Sequence, residues 1–303
     1  MNAARPRYAV ITPARDEAAN LMHLAASLAS QLVLPEEWII IDNGSTDDTA
    51  AVAAALSDRY EWVRWTSIAG EEGHVRGAPV VRAFHVGITQ VRPTAEFVAK
   101  VDADVTFEED YFVRLLSRFA EDPSLGIASG GCYELVHSHW RQRHTTEPNV
   151  WGAARIYRRS CLDAILPLAD RMGWDVIDVL RARVANWRTH TCDEIPFRHH
   201  RVEAQRDGAR HLHWLRQGEV AHYLHYRPTY LLLRTLHRVR RDRTAPALLW
   251  GFAVAAVQRR QRCEEPSVVA HVREQQRLRH IRRRAIEAAR GSESSRRAAA
   301  ARG

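Results

Sequence analysis

The chain has 303 residues, 46% hydrophobic and 26% charged, a globular composition with material for a sizeable core, and this excludes a disordered or collagen-like protein. No stretch reaches the roughly 18 to 20 uninterrupted apolar residues of a membrane-spanning helix. MNAARPR runs into a strand-like segment rather than a signal-peptide core, so neither secretion nor a transmembrane anchor is expected. Cys132, Cys161, Cys192 and Cys263 form no C-x-x-C pair, which argues against a disulfide framework or a cysteine zinc site and for a reducing cytoplasm.

The net charge of +8 is unevenly placed: residues 1–200 carry 21 basic and 27 acidic side chains, residues 201–303 carry 23 and 9. Such a basic C-terminal third suits an anionic membrane face, an anionic substrate or nucleic acid, or is a solvated surface. Lys100 is the only lysine, so part of the arginine excess is compositional habit.

In chain order, Tyr8 to Thr12 (YAVIT) reads as a buried strand, and Leu21, Leu24, Leu28 and Leu32 recur at helical spacing over a helix from about 20 to 30. Trp38 to Ile41 (WIII) is a second strand, followed by a turn at Asp42-Asn43-Gly44-Ser45 and a helix to Leu56, with Ser45 and Asp48 at capping-box spacing. Val63 to Trp65 reads as a short strand, 78–90 as a helix, and Phe97 to Val101 as a strand delivering Asp102-Ala103-Asp104 at its end. A helix over 110–119 and a strand over Leu125 to Ser129 follow. Beyond them Val150 to Tyr157 is strand-like and Val176 to Asn186 helical, and the chain from Tyr223 on is helical and arginine-rich. Strands alternating with helices predict an α/β fold.

In open α/β sheets, ligands bind beyond the carboxyl ends of the strands. The loop after the first strand, Pro13-Ala14-Arg15-Asp16-Glu17, contains no glycine, which removes the G-x-G-x-x-G turn of a nicotinamide enzyme; a Walker phosphate loop is absent too. Asp102 and Asp104 at a buried strand end would repel each other and suffer desolvation unless a cation compensates. A hard divalent ion such as Mg2+ or Mn2+, which also bridges diphosphate oxygens, fits that need. The plain alternative is a helix-capping pair.

The runs ITPARDEAANL, IIIDNGSTDDTA and FVAKVDADVTFEEDYF, in that order, resemble the inverting family-two glycosyltransferases. ASGGCYELV, GAARIYRRSCL and GWDVIDVLRARVANW extend the similarity to about residue 200. The resemblance implies the glycosyltransferase A, or nucleotide-diphospho-sugar transferase, fold: a mixed, mostly parallel sheet flanked by helices, here with a helical C-terminal extension. It implies a hexosyltransferase-type enzyme moving a sugar from a UDP- or GDP-linked donor to a sugar or lipid-linked acceptor, in cell-surface polysaccharide or glycolipid synthesis. It places Pro13, Arg15 and Glu17 beside the nucleotide, Asp42 on the base, Asp102 on the ribose or metal, and Asp104 on the metal. Arg82 and His85, in VVRAFHVGI, would touch nucleotide or donor, although the family more often has Asn at His85. His199 and His200 would lie near the metal or diphosphate.

An inverting transfer needs a carboxylate to deprotonate the acceptor hydroxyl. Aligning Leu180-Arg181 with the family's Leu-Arg puts Asp175 on the catalytic aspartate, with Trp174 standing where the family has Glu. Asp178 is the second candidate, its alternative being a capping or exposed helix residue.

The expected organisation is a catalytic domain over 1–210, with a nucleotide-sugar half (1–105) and an acceptor half (106–210), then a basic helical extension (211–290) and a disordered tail (291–303). Residues 245–257 (APALLWGFAVAAV) form an apolar helix framed by arginines, too short to span a bilayer. It either lies in the interface of the inner plasma-membrane face or packs as an ordinary helix. The competing reading is a non-catalytic membrane- or nucleic-acid-binding protein using the arginine-rich third. That reading leaves the acidic clusters after three strands unexplained. From Glu264 onward, moreover, there is no Phe, Tyr or Trp for base stacking, so an enzyme without a nucleic-acid partner is expected.

Overall fold

The computed structural model describes residues 6–70, 77–136, 139–143, 145, 149–200, 210–240, 242–277 and 280. They divide into two units, 1–206 and 207–303.

The first unit opens with β1 (Tyr8–Ala14), α1 (Ala18–Ala29), β2 (Glu37–Asn43), α2 (Thr49–Arg59), β3 (Val63–Ile68), α3 (Ala78–Gln90) and β4 (Phe97–Val101). β1 pairs in parallel with β2 and β4, and β2 with β3, so the carboxyl ends of all four strands reach one edge. Successive strand residues face opposite sides, and both sides are covered. Trp38 and Ile40 join a core that includes Leu21, Leu24, Ala53 and Leu56 of α1 and α2, whereas Ile39 and Ile41 join Val81 and Phe84 of α3. Burial on both faces is why WIII is uninterrupted; each such side chain contributes roughly 1.5–3 kcal/mol. The indole N–H of Trp38 is satisfied by Thr12 Oγ1 at 2.9 Å.

β5 (Val105–Phe107), α4 (Tyr111–Glu121), β6 (Leu125–Val136), β7 (His139–Gln142), β8 (Ala154–Arg158), α5 (Arg159–Ile165), α6 (Trp174–Val184) and β9 (Arg188–His199) complete the unit. The sheet order is β3-β2-β1-β4-β8-β6-β9-β5, with β7 on β6. β8 is antiparallel to β4 and β6, β5 is antiparallel to β9, and β6 and β9 run parallel, so the sheet is mixed. α4 covers the same face as α1 and α2, and α5 and α6 share the face of α3.

Two local expectations change. The helix expected to be capped by Ser45 starts at Thr49, whose N–H bonds Asp47 Oδ1 at 2.9 Å. Ser45 Oγ accepts the Asp16 N–H at 3.0 Å, and Asp16 Oδ1 accepts the Thr46 N–H at 2.7 Å, so the loops after β1 and β2 are clasped together. The expected strand 150–157 begins only at Ala154, opposite Val101 where β4 ends; the Gly152 carbonyl accepts from Lys100 at 3.0 Å.

β9 carries a bulge. Gly130 pairs with Cys192 and Gly131 with Pro196, leaving Asp193–Ile195 looped out. A Cβ on Gly130 would collide with the Ile195 carbonyl, and one on Gly131 would approach the Asp193 carbonyl to 2.9 Å. The glycine pair of ASGGCYELV is therefore required by this loop-out.

The second unit holds α7 (Arg210–Tyr223), α8 (Pro228–Val239), α9 (Ala247–Val257) and α10 (Pro266–Gln275). α7 and α9 cross at glycines: a Cβ on Gly218 would strike the Leu248 carbonyl, and one on Gly251 the Leu215 carbonyl. The apolar helix foreseen at 245–257 thus lays Leu248, Gly251 and Ala255 inward. Its outer stripe of Trp250, Ala253 and Val257 is exposed, as are Leu232, Leu233 and Leu236 of α8. No described helix is long and apolar enough to cross a membrane. The tail expected at 291–303 lies outside the described residues.

Candidate active site

The parallel strands deliver acidic residues to the shared edge. Asp42, next to last in β2, is buried; its Oδ2 accepts from Ser67 Oγ at 2.8 Å and its Oδ1 from the Ser45 N–H at 3.1 Å. Both oxygens are thereby oriented, and each retains a lone pair for a further donor. Pro13 pairs with Ile41 and Ala14 with Asp42 at the end of the β1 ladder, and half-buried Arg15 follows in the loop. Glu17 is buried, accepts from Asn20 Nδ2 at 2.5 Å, and its N–H bonds Thr49 Oγ1 at 2.7 Å.

Past the end of β4, Asp102 bonds Lys100 through its carboxylate and the Ala153 carbonyl through its N–H at 2.8 Å. Lys100 was not foreseen as a site residue. It is buried, and its ammonium also lies 5.4 Å from the centre of the Trp174 ring, with the Arg155 guanidinium 5.2 Å from the same ring. Trp174 is a face for two cations. Asp175 lies in the first turn of α6, and a Cβ on Gly152 would lie 3.3 Å from its Oδ2. The 152–153 backbone therefore brings Asp102, Lys100 and Asp175 into one neighbourhood.

Asp104 is buried, with Oδ1 3.3 Å from His199 Nε2. β5 and β9 pair Val105 with His199, and strand alternation then turns His199 inward and His200 outward. His200, the other histidine expected near the metal, has different neighbours. Its Nε2 lies 2.8 Å from Thr106 Oγ1 and its ring stands edge-on to Trp140; burial and the nearby His23 lower its pKa.

His199 has a second set of neighbours that sequence reasoning passed over. Glu134 is its register partner on β6, with Oε1 3.8 Å from His199 Nδ1, and Cys132 lies two residues earlier on the same face. Burial opposes a charge on His199, but Asp104, Cys132 and Glu134 outweigh it and raise its pKa to about 11. One donor atom each from Cys132, Glu134 and His199 lie within 4.8 Å of one another, a group able to hold a metal ion. Carboxylate oxygens with one imidazole suit Mn2+ or Mg2+; the thiol would shift preference toward a softer ion.

Three of the expected site residues have partners elsewhere in the structure. Asp178 is sealed: Arg155 reaches its two oxygens at 2.7 and 2.6 Å, Tyr157 donates to it, and neither Asp178 nor Arg155 has exposed side chain. Burial works against the Arg155 charge, yet Asp178 more than offsets this and raises its pKa. Asp178 is a structural counter-ion out of an acceptor's reach. Arg82 and His85, one helical turn apart on α3, both turn to the 168–170 segment. Arg82 pairs with Asp170 at 2.6 Å, and His85 Nε2 accepts the Leu168 N–H at 3.0 Å. Both side chains thus contact the connection that leads from α5 to α6.

Residues 9–167 match the family described as glycosyl transferase family 2. The chain belongs to that family. Among curated proteins it is similar to the 4,4'-diaponeurosporenoate glycosyltransferase of Staphylococcus aureus (strain MRSA252), 30% identical over 128 residues, 42% of this chain and 32% of that protein. The chain thus spans about a third of the curated relative it matches. Among solved structures, the mannosyltransferase PcManGT from Pyrobaculum calidifontis, in complex with GDP-Man and Mn2+, has a TM-score of 0.57 at 17% identity, covering 88% of this chain and 79% of that one. S. aureus TarS has a TM-score of 0.53 at 15% identity, covering 71% and 39%. GalNAc-T7 with UDP, GalNAc and Mn2+ has 0.54 at 11% identity, covering 65% and 44%. These likenesses carry the fold, which is that of the glycosyltransferase A class.

Proposed function

We propose that this family member is a metal-dependent inverting glycosyltransferase of the hexosyl type, using a nucleoside-diphosphate sugar. The observation that carries the reading is the meeting of buried Asp104 with His199 at 3.3 Å, two residues beyond Asp102 in the segment that follows β4. Relatives of this fold are solved with GDP-Man and Mn2+, with UDP, and with UDP-GlcNAc, which supports a GDP- or UDP-linked donor.

Asp42, held by Ser67 and Ser45, accepts a hydrogen bond from the imide of uracil or guanine. Pro13, Arg15 and Glu17 border the nucleotide, and Asp102, fixed by Lys100, meets the ribose side. Asp104 and His199 would hold Mn2+ or Mg2+, whose chemistry is to neutralise charge growing on the departing diphosphate. Asp175 takes the proton from the acceptor hydroxyl as that oxygen attacks the sugar. The Lys100 contact leaves Asp102 charge-compensated, so Asp175 is the carboxylate assigned to the proton.

Charge and exposure in the second unit support a membrane-associated acceptor. Arginines frame α9, whose outer stripe is apolar, and α8 exposes three leucines, a combination suited to an anionic membrane surface. The reading is of a cytoplasmic enzyme, peripheral at the inner face of the plasma membrane, with a lipid-linked or sugar acceptor in surface polysaccharide or glycolipid synthesis.

The test is thermal stabilisation by UDP, GDP, TDP and CDP, each with and without Mn2+. UDP or GDP is expected to raise the melting temperature with Mn2+ and much less without it, and Asp104→Ala to remove the metal-dependent part. A wild-type protein stabilised by none of the four would overturn the reading.

A further inference from the structure

The geometry points to Glu134 as the positioning residue that holds the His199 ring by Nδ1 so that Nε2 is presented to the ion held with Asp104. This rests on the metal reading above and assigns a residue that reading does not require. An imidazole binds a cation through one unprotonated nitrogen, so the other must carry the proton, and a carboxylate on that side fixes both tautomer and ring orientation.

A carboxylate stands on each side of the ring. Asp104 Oδ1 stands 3.3 Å from Nε2 and Glu134 Oε1 3.8 Å from Nδ1, with both carboxylates buried. Glu134 is placed by backbone register, since it pairs with His199 across parallel strands. It is also held from behind: Arg143 Nε lies 3.3 Å from Glu134 Oε2, and the Arg143 N–H bonds the Cys132 carbonyl at 2.8 Å. The β6–β7 pairing thus returns a half-exposed arginine to a carboxylate that would otherwise be costly to bury. The competing arrangement makes Cys132, Glu134 and His199 the ligands themselves, on the Nδ1 side. It would draw a softer ion than one bridging diphosphate oxygens, and the thiol makes the two distinguishable.

Full-length protein freed of metal is titrated with Mn2+ alone, with free Mn2+ followed by electron paramagnetic resonance and nitrogen coupling to bound Mn2+ by its pulsed form. Glu134→Gln is expected to weaken Mn2+ binding roughly ten- to hundredfold and to diminish the nitrogen coupling, a signature that a merely structural role leaves intact. Asp104→Asn should lose binding and Cys132→Ser should bind as wild type. If Glu134→Gln misfolds, Arg143→Ala, altering a half-exposed side chain, should show the same trend several-fold. Unchanged affinity and coupling in the Glu134 and Arg143 variants, with binding lost in Asp104→Asn, would overturn the positioning role alone. Full binding by Asp104→Asn would overturn the metal reading beneath it. Loss in Cys132→Ser, with a thiolate charge-transfer band from added Co2+, would replace both by the cysteine-containing site.

Discussion

Lys100 reaches Asp102 from two positions back on the same side of the chain, and the same ammonium bonds the Gly152 carbonyl at 3.0 Å. The lone lysine of this arginine-rich chain is thus buried where a compact cation joins a strand end to the loop before β8. Lys100→Met should cost about 2 kcal/mol, the scale of a hydrogen bond to a charged group, measured by chemical denaturation. It should also raise the donor KM, since Asp102 loses its tether. Unaltered stability and KM would mean that the contact is incidental.

Asp175 and Asp178 should separate cleanly. Asp175→Asn is expected to bind donor normally and turn over roughly a hundredfold more slowly or worse. Asp178→Ala leaves Arg155 buried without its counter-ion and should lose about 3–5 kcal/mol of stability, seen as a large fall in melting temperature. A stable Asp178→Ala with slow turnover, beside an active Asp175→Asn, would reverse the assignment.

His85 gives a pH dependence. Burial lowers its pKa, with Asp170 opposing, and its Nε2 must be unprotonated to accept the Leu168 N–H. A folded-state pKa below the unfolded value means that the unfolded chain binds the proton first. Stability from this group is present near neutral pH and is lost as pH falls below about 6.5. The difference in melting temperature between wild type and His85→Asn should therefore shrink from pH 7.5 to about pH 5. A constant difference would show that His85 does not titrate in that window.

The second unit makes a prediction on membranes. Anionic vesicles should sediment the protein and neutral ones much less, with attraction of about 1 kcal/mol per well-placed arginine that salt removes. Trp250→Ala combined with Leu236→Ser should reduce whatever binding survives high salt, because that part comes from apolar insertion. Absence of binding to either vesicle would point to a soluble acceptor.

Much of the first unit was legible because its strands are buried on both faces, so YAVIT, WIII and FVAKV stand out as uninterrupted apolar runs. β5, β7 and α5 were not, being only 3, 4 and 7 residues long. Asp102 and Asp104 could be singled out because they directly follow the apolar run that forms β4. His199 and His200 could not be told apart, since only the register with β5 decides which ring turns inward. Asp178 was ambiguous because Arg155 and Tyr157 reach it from β8, a pairing that helical spacing does not reveal. Cys132 and Glu134 left a readable trace, two polar-tipped residues at period two after a glycine pair, but nothing local tied them to a histidine some 65 positions later.

The three residues looped out of β9 at Asp193–Ile195 uncouple the two ends of that strand. Upstream, Thr189 to Cys192 are held by Ile127 to Gly130; downstream, Pro196 to His199 take their places from Gly131 to Glu134. An insertion or deletion inside the loop-out can be absorbed there, like slack in an expansion joint, without rotating the imidazole away from Asp104. The same change made after Pro196 would invert the alternation and present His200 in place of His199. The stretch of β9 most permissive to length variation thus lies only four residues before the position that tolerates none.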